Sequence, residues 1–292
     1  MAWTEITRRQ HDRKGLRYAS DLTNAEWAAI RPLLPKRSRL GRPPKHSLRR
    51  IVDAIFYMLI AGCQWRLLPR EFPPPSTVQH YFYRWRNNGV FQAINAHWVA
   101  RLRRQQGRRP RPSSGIIDSQ SVRTTECGGP RGADAAKKIN GRKRHIVTDT
   151  DGLLLVGQVH PANIQDSHGA VPLLRSLAHQ FPKLRHIFAD SVYRGEKLRW
   201  ALFDTGRWRI QIVKRPDGAK GFHLLPRRWV VERTFAWFGR CRRLAKDFEA
   251  SIASAEAWLH LASIKLLVRR LGRTNSQVAA RTRIMSQTLR AT

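Results

Sequence analysis

Acidic side chains are scarce in this chain, 20 Asp and Glu against 55 Lys and Arg, so those in apolar surroundings are the first candidates for chemistry. Asp118 interrupts the run GIIDSQSV, where a carboxylate buried without partners would cost on the order of several kcal/mol. Asp190 closes the run RHIFADS, at the carboxyl end of a strand-like segment, the edge where ligands of α/β sheets bind. Glu232 lies in the helical pattern RRWVVERTFAWF, with Trp229, Val230 and Val231 around it and Arg228 and Arg233 close by. Carboxylates within a few Å of one another stay ionised only if a cation neutralises them, and oxygen ligands suit Mg²⁺. Paired cations of that kind activate an attacking oxygen and stabilise a leaving one during in-line phosphoryl displacement. Blander roles exist for each acid: turn or cap for an aspartate, an i,i+4 partner of Arg228 for Glu232. On the residues alone Asp134, Asp149, Asp151, Asp166 or Asp204 could replace one member. The metal reading requires Glu232 to share a face with the two aspartates, with no lysine salt bridge filling their junction.

The elements that must position these acids follow from periodicity. Residues 1–20 are polar and basic and read as a loose arm. Thr23 with Glu26 forms a capping box before a short helix, Ser47 caps a second helix that ends at Gly62, Ser76 caps a third that ends at Gly89, and a fourth runs from Phe91 to Leu102. Residues 21–104 are thus a small all-helical domain, and 105–114, without a large apolar side chain, are a linker. In 115–271 the period changes. Strands are predicted at 115–122, 145–150, 153–159, 184–189 and 208–213, with a hairpin turn at Asp151-Gly152. Helices are predicted from Asp166 or Ser167, over 195–205, 227–245 and 254–271, and 272–292 is a polar basic tail. This order describes a mixed α/β sheet flanked by helices.

The formal charge of +35 on a chain that is 41% hydrophobic describes a folded protein whose surface repels itself unless it meets a polyanion. Double-stranded DNA is the partner this implies, through phosphate contacts and counterion release. No run of about 18 apolar residues suggests a membrane span, and no signal pattern precedes the first helix. Cys63, Cys127 and Cys241 are too scattered for a zinc site or disulfide framework and suit a reducing cytoplasm.

Several ordered blocks resemble the DDE transposases of bacterial insertion sequence family five, within the larger group built around family four. DLTNAEWAAIRPLLP, GRPPKHSLRRIVDAIFYMLIAGCQWRLLP and TVQHYFYRWRNNGVF are similar to the helical region of that family. IIDSQSVRTTECGGPRG, GRKRHIVTDTDG, HPANIQD, FADSVYRG and LPRRWVVERTFAWFGRCRRLAKDFE are similar to its catalytic blocks. The resemblance implies an RNase H-like fold with Asp118 on the first strand, Asp190 just after the fourth and Glu232 on a late helix. It also implies Mg²⁺ or Mn²⁺, hydrolysis at element ends to free a 3′-OH, attack of that end on target DNA, a homodimer in the DNA complex, and a bacterial, nucleoid-associated setting. Two positions depart from the wider group's pattern: Leu225 stands where Tyr is usual and Gly239 where Lys is usual.

Candidate DNA contacts are spread along the chain. Arg42 and Lys45 belong to GRPPK, which resembles a minor-groove hook. Arg84 and Arg86, with Gln79 and His80, lie on a helix suited to groove readout. Lys137, Lys138, Arg142, Lys143 and Arg144 are assigned to a glycine-rich basic loop beside Asp118. Arg228, Arg240 and Arg243 surround the Glu232 helix.

Overall fold

Helix α1, Asn24–Ile30, begins where Thr23 and Glu26 satisfy each other: Glu26 N donates to Thr23 Oγ1 at 3.2 Å and Thr23 N to Glu26 Oε2 at 2.9 Å. The computed structural model describes residues 12–36, 43–126, 128–205, 208–213, 225 and 227–288, the side chains of 197 and 272–288 excepted. Helix α2, Leu48–Ala61, starts under the Ser47 cap and stops at Gly62, whose φ of 67° is cheap only for glycine. A Cβ on Gly62 would also stand 2.9 Å from Arg242. Helix α3, Pro75–Asn87, starts one residue before the expected Ser76 and has no side-chain cap. Proline at the first helical position needs none, because its missing N–H is one of the unpaired donors. Helix α4 is Val90–Gln105.

Strand β1, Ser114–Arg123, lies at the centre of the sheet, antiparallel to β3, Ile139–Thr148, and parallel to β5, His186–Ala189. Beyond β3 lie the short β2, Gly132–Asp134, and β4, Leu154–Pro161; beyond β5 lies β6, Arg209–Ile212, parallel to it. Helix α5, Asp166–Gln180, and α6, Glu196–Ala201, connect these strands, and α7, Arg228–Gly239, and α8, Ile252–Thr288, follow them. The expected mixed sheet with flanking helices is the observed one.

The helical segment and the sheet share one hydrophobic core running from Leu22 to Leu271. Phe82 of α3 stacks on Trp258 of α8 with centroids 4.5 Å apart. Asn95 of α4 donates to Leu154 O at 2.8 Å and accepts from Ser263 Oγ at 2.7 Å. A side chain facing both α8 and β4 at hydrogen-bonding distance ties the segments rigidly.

Three expectations are corrected here. Residues 1–11 lie outside the described residues, but 12–20 are packed rather than loose: Arg13 pairs with Glu26 at 2.8 Å, and the Tyr18 ring lies 5.2 Å from Phe72. The polar tail continues α8 in helical form to Thr288, since 273–288 holds neither proline nor glycine. The hairpin at Asp151-Gly152 is wider than two residues: Thr148 pairs with Leu154, and the Asp149 carboxylate accepts from Asp151 N and Leu153 N, both at 2.9 Å.

Asp149 is fully buried and ion-paired with Arg103 of α4, so the turn is anchored to the helical segment. Removing one partner of a buried pair leaves an uncompensated charge, at a cost of about 3–5 kcal/mol. Arg103→Leu is expected to lower the unfolding free energy in urea by that amount. The exposed Arg104→Leu should stay within about 0.5 kcal/mol of the parent; equal small losses in both would contradict the assignment.

Candidate active site

The parallel pairing of β1 and β5 sets Gly115 beside Ile187 and Ile116 beside Phe188. Continued two residues, that register sets Asp118, in the middle of β1, level with Asp190, which directly follows β5. Asp190 leaves the sheet there to cap the 3₁₀ turn Ser191–Tyr193, its carboxylate accepting from the Ser191 amide. Helix α7 packs over β1 and carries Arg228 and, one turn later, Glu232. Arg228 Nη2 lies 3.0 Å from Asp190 Oδ2 and 3.4 Å from Glu232 Oε1. A single guanidinium therefore joins the second strand acid to the helix acid.

Asp118 sits deepest of the three. Burial, the largest influence, pushes its pKa up to about 6; the Ser119 amide and Arg228 oppose that shift, and the charge of Glu232 adds to it. Arg228 and Glu232 thus both act on the Asp118 carboxyl, in opposite directions. Among the described residues no three His, Cys, Asp or Glu side chains already stand close enough to hold an ion. The Arg228 guanidinium lies between Asp190 and Glu232. The donor set is all carboxylate oxygen, as a hard divalent cation requires. Glu232 and Asp190 are 54% and 32% exposed, so the guanidinium occupies an accessible mouth rather than a sealed core. The residues fit such a cation once Arg228 turns aside.

The opposite face of β1 holds a second polar cluster. Ser119 Oγ donates to Asp166 Oδ1 at 2.7 Å, Lys143 Nζ pairs with the same oxygen at 2.9 Å, and Ser121 Oγ donates to Asp134 Oδ2 at 2.6 Å. Asp166 is therefore not the cap expected of it. Gln165 holds the N-cap position of α5 without a side-chain bond, and the Asp166 carboxylate turns inward. Asp149 and Asp151 are committed to Arg103 and Arg108, and Asp204 is an exposed partner of Arg175 at 3.8 Å. None of these alternative acids pairs with Arg228.

The basic residues divide sharply. Arg142, Lys143 and Arg144, expected on a basic loop, are buried in β3. Arg142 pairs with Asp247 at 3.2 Å and donates to Glu249 O, while Arg144 donates to Leu244 O and Lys246 O. Their aliphatic stems continue the strand's packing and their heads hold the segment before α8. Arg243 is likewise buried, bonded to Glu249 and to Cys63 O. Arg86 is half-buried and donates to Ser254 Oγ at 2.7 Å. Lys45, Arg84, Lys137, Lys138 and Arg240 are exposed, and Lys137 is near enough to stabilise the Asp118 carboxylate. Arg42 lies outside the described residues. Trp229 and Trp237 are half-buried, with the Arg233 guanidinium over both rings at 4.4 and 4.5 Å.

Residues 109–267 match the family described as "Transposase DDE domain", and residues 22–95 match "Putative transposase of IS4/5 family". A protein of Burkholderia cepacia, "Putative transposase for insertion sequence element IS402", is 35% identical over 158 residues, 52% of this chain and 70% of that protein. "Uncharacterized protein y4sN" of Sinorhizobium fredii (strain NBRC 101917 / NGR234) is 31% identical over 75 residues, 26% of this chain and 60% of its own length. No solved structure matches the chain.

A carboxyl whose folded pKa exceeds its unfolded value costs stability once it ionises. For Asp118 that cost is absent below 3.8, grows as pH rises toward about 6, and is complete above. In EDTA, Asp118→Asn is expected to melt higher than the parent near pH 7.5, with the difference closing by about pH 4. A difference of the same size at both pH values, measured by calorimetry, would remove the argument.

Proposed function

The chain belongs to the DDE transposases of the IS4/5 group, and on that premise we propose that Asp118, Asp190 and Glu232 are the catalytic carboxylates with which it cuts and joins DNA at terminal inverted repeats. DNA as substrate, transposition as activity and use of a divalent metal come with the family. The observation that supports the residue assignment is the level register of Asp118 and Asp190, with Asp190 and Glu232 both paired to the Arg228 guanidinium. Those carboxylates would hold Mg²⁺ or Mn²⁺, which when bound supplies Lewis-acid activation of the attacking oxygen and stabilisation of the leaving one.

The chain's own side chains do the rest. Asp118, whose carboxyl burial raises to about 6, is ionised above that pH and can act as an oxygen ligand. Arg228 holds Asp190 and Glu232 together in the metal-free protein, and its guanidinium passes to a DNA phosphate when the substrate arrives, a fork geometry suited to both partners. Lys137 and Arg240, both exposed, hold the flanking backbone. Water attacks first and frees a 3′-OH, and that hydroxyl then attacks target DNA. Two copies pairing two ends would form the homodimer. Among the described residues no helix is long and apolar enough to cross a membrane.

With Mn²⁺ and a duplex taken from the DNA flanking the gene, Asp118→Asn, Asp190→Asn and Glu232→Gln are each expected to lose cleavage by roughly three orders of magnitude while retaining end binding in gel shifts. Cleavage at the parental rate by any of them would remove that residue from the site. Joined 3′ ends in a target plasmid separate a transposase from a plain nuclease. Because Arg228 competes with the metal, Arg228→Gln is expected to tighten Mn²⁺ binding several-fold in calorimetry without DNA. It should also flatten the salt dependence of end binding by about one unit of log–log slope; weaker Mn²⁺ binding would instead make Arg228 a structural support.

A further inference from the structure

The turn that starts at Asp190 has an anchor outside the carboxylate cluster. Tyr193 ends that turn inside the protein, 3% exposed, with its hydroxyl 2.7 Å from Nε2 of the fully buried His145. His145 lies in β3 directly opposite Ser119, the neighbour of Asp118. Its Nδ1 is 3.5 Å from His160 Nε2, and His160 Nδ1 is 3.0 Å from Pro161 O. Helix α5 crosses the two rings at Gly169, where a Cβ would stand 2.5 Å from His160 Nε2 and 3.1 Å from His145 Nδ1. Only a residue without a side chain lets the rings approach each other there.

The far end of the chain fixes its direction. The Pro161 carbonyl only accepts, so His160 carries its proton on Nδ1 and offers Nε2. His145 then carries its proton on Nδ1 and leaves Nε2 to accept from the Tyr193 hydroxyl. Burial holds both rings neutral, pushing His145 down to about 3 and His160 down as well, and burial also raises Tyr193, keeping its proton in place. The chain is thus a fixed strut with one polarity.

We infer that Tyr193 is a positioning residue of the active site: seated on His145, its hydroxyl fixes the turn that begins with Asp190 against the strand pair that carries Asp118. Resting on the carboxylate assignment above, the strut sets the separation of two metal-holding oxygens from beneath. Outer hydrogen bonds of that kind are worth about 10- to 100-fold in metal affinity or activity.

The test compares the full-length parent with Tyr193→Phe, His145→Leu, His145→Gln and Asp118→Asn. In metal-free protein, Tyr193→Phe is expected to speed amide exchange across residues 189–193 while the rest of the sheet and the melting temperature stay near parental values. Free Mn²⁺ measured by electron paramagnetic resonance should show affinity about 10- to 100-fold weaker in Tyr193→Phe and His145→Leu. His145→Gln, whose amide oxygen can accept from Tyr193, should recover most of it, and gel shifts with end DNA should be unchanged throughout. Unaltered exchange in 189–193 in Tyr193→Phe overturns the strut whatever the metal does. So does parental Mn²⁺ affinity in Tyr193→Phe when Asp118→Asn has lost it, or a joint fall of affinity and melting temperature in which His145→Gln shares. Equal Mn²⁺ binding by the parent and Asp118→Asn overturns the carboxylate assignment itself, and the positioning role with it.

Discussion

Like charges gathered at one edge of a sheet must be neutralised, and the rest of this structure is arranged around that requirement. The parallel pairing of β1 with β5 brings Asp118 and Asp190 level, and α7 adds Glu232 across from them. Without positive charge in their midst, three ionised carboxylates would drive these elements apart. Here the guanidinium of Arg228, 3.0 Å from one acid and 3.4 Å from another, supplies it. A permanent buried lysine would have closed the site to metal. In the proposed site, an arginine at an open mouth would leave room for a divalent cation while pairing with Asp190 and Glu232.

The same economy of acids governs the basic residues. A net charge of +35 suggests a surface covered in cations, yet Arg103, Arg142, Arg144 and Arg243 are all buried. Each satisfies a carboxylate or a group of backbone carbonyls: Arg103 anchors the β3–β4 turn, while Arg142, Arg144 and Arg243 staple the segment leading into α8. Because α8 also packs against α3 and α4, the helical segment and the catalytic sheet are braced by one long element. DNA held by exposed cations on the helical segment would therefore be held at a fixed place relative to the carboxylates.

Much of this was legible in the residues. The capping box at Thr23, the stop at Gly62 and the strand runs around Asp118 and Asp190 carry local signals, because caps, left-handed glycines and β-rich runs have local causes. The basic loop was misplaced for a physical reason: in GRKRH the polar heads read as exposed, while the long stems of Arg142 and Arg144 pack like apolar side chains and their charges find partners about a hundred residues away. Ser76 reads as a cap because serine usually is one, but Pro75 at the first helical position makes a cap unnecessary. Asp166 stands out in the sequence only as one alternative acid among several, and the contact between Tyr193 and His145 carries no local signal, since both depend on which face of β1 and β3 a side chain occupies. Register of that kind is a property of the assembled sheet.

The central claim, that Asp118, Asp190 and Glu232 form one metal site whose metal-free state is held by Arg228, is open to direct observation. Crystals of the protein bound to an end duplex and soaked in Mn²⁺ should give anomalous scattering between the three carboxylates, with the Arg228 side chain turned from Asp190 to a DNA phosphate. Manganese found elsewhere, or Arg228 still paired with Asp190 and Glu232 in the loaded complex, would contradict it.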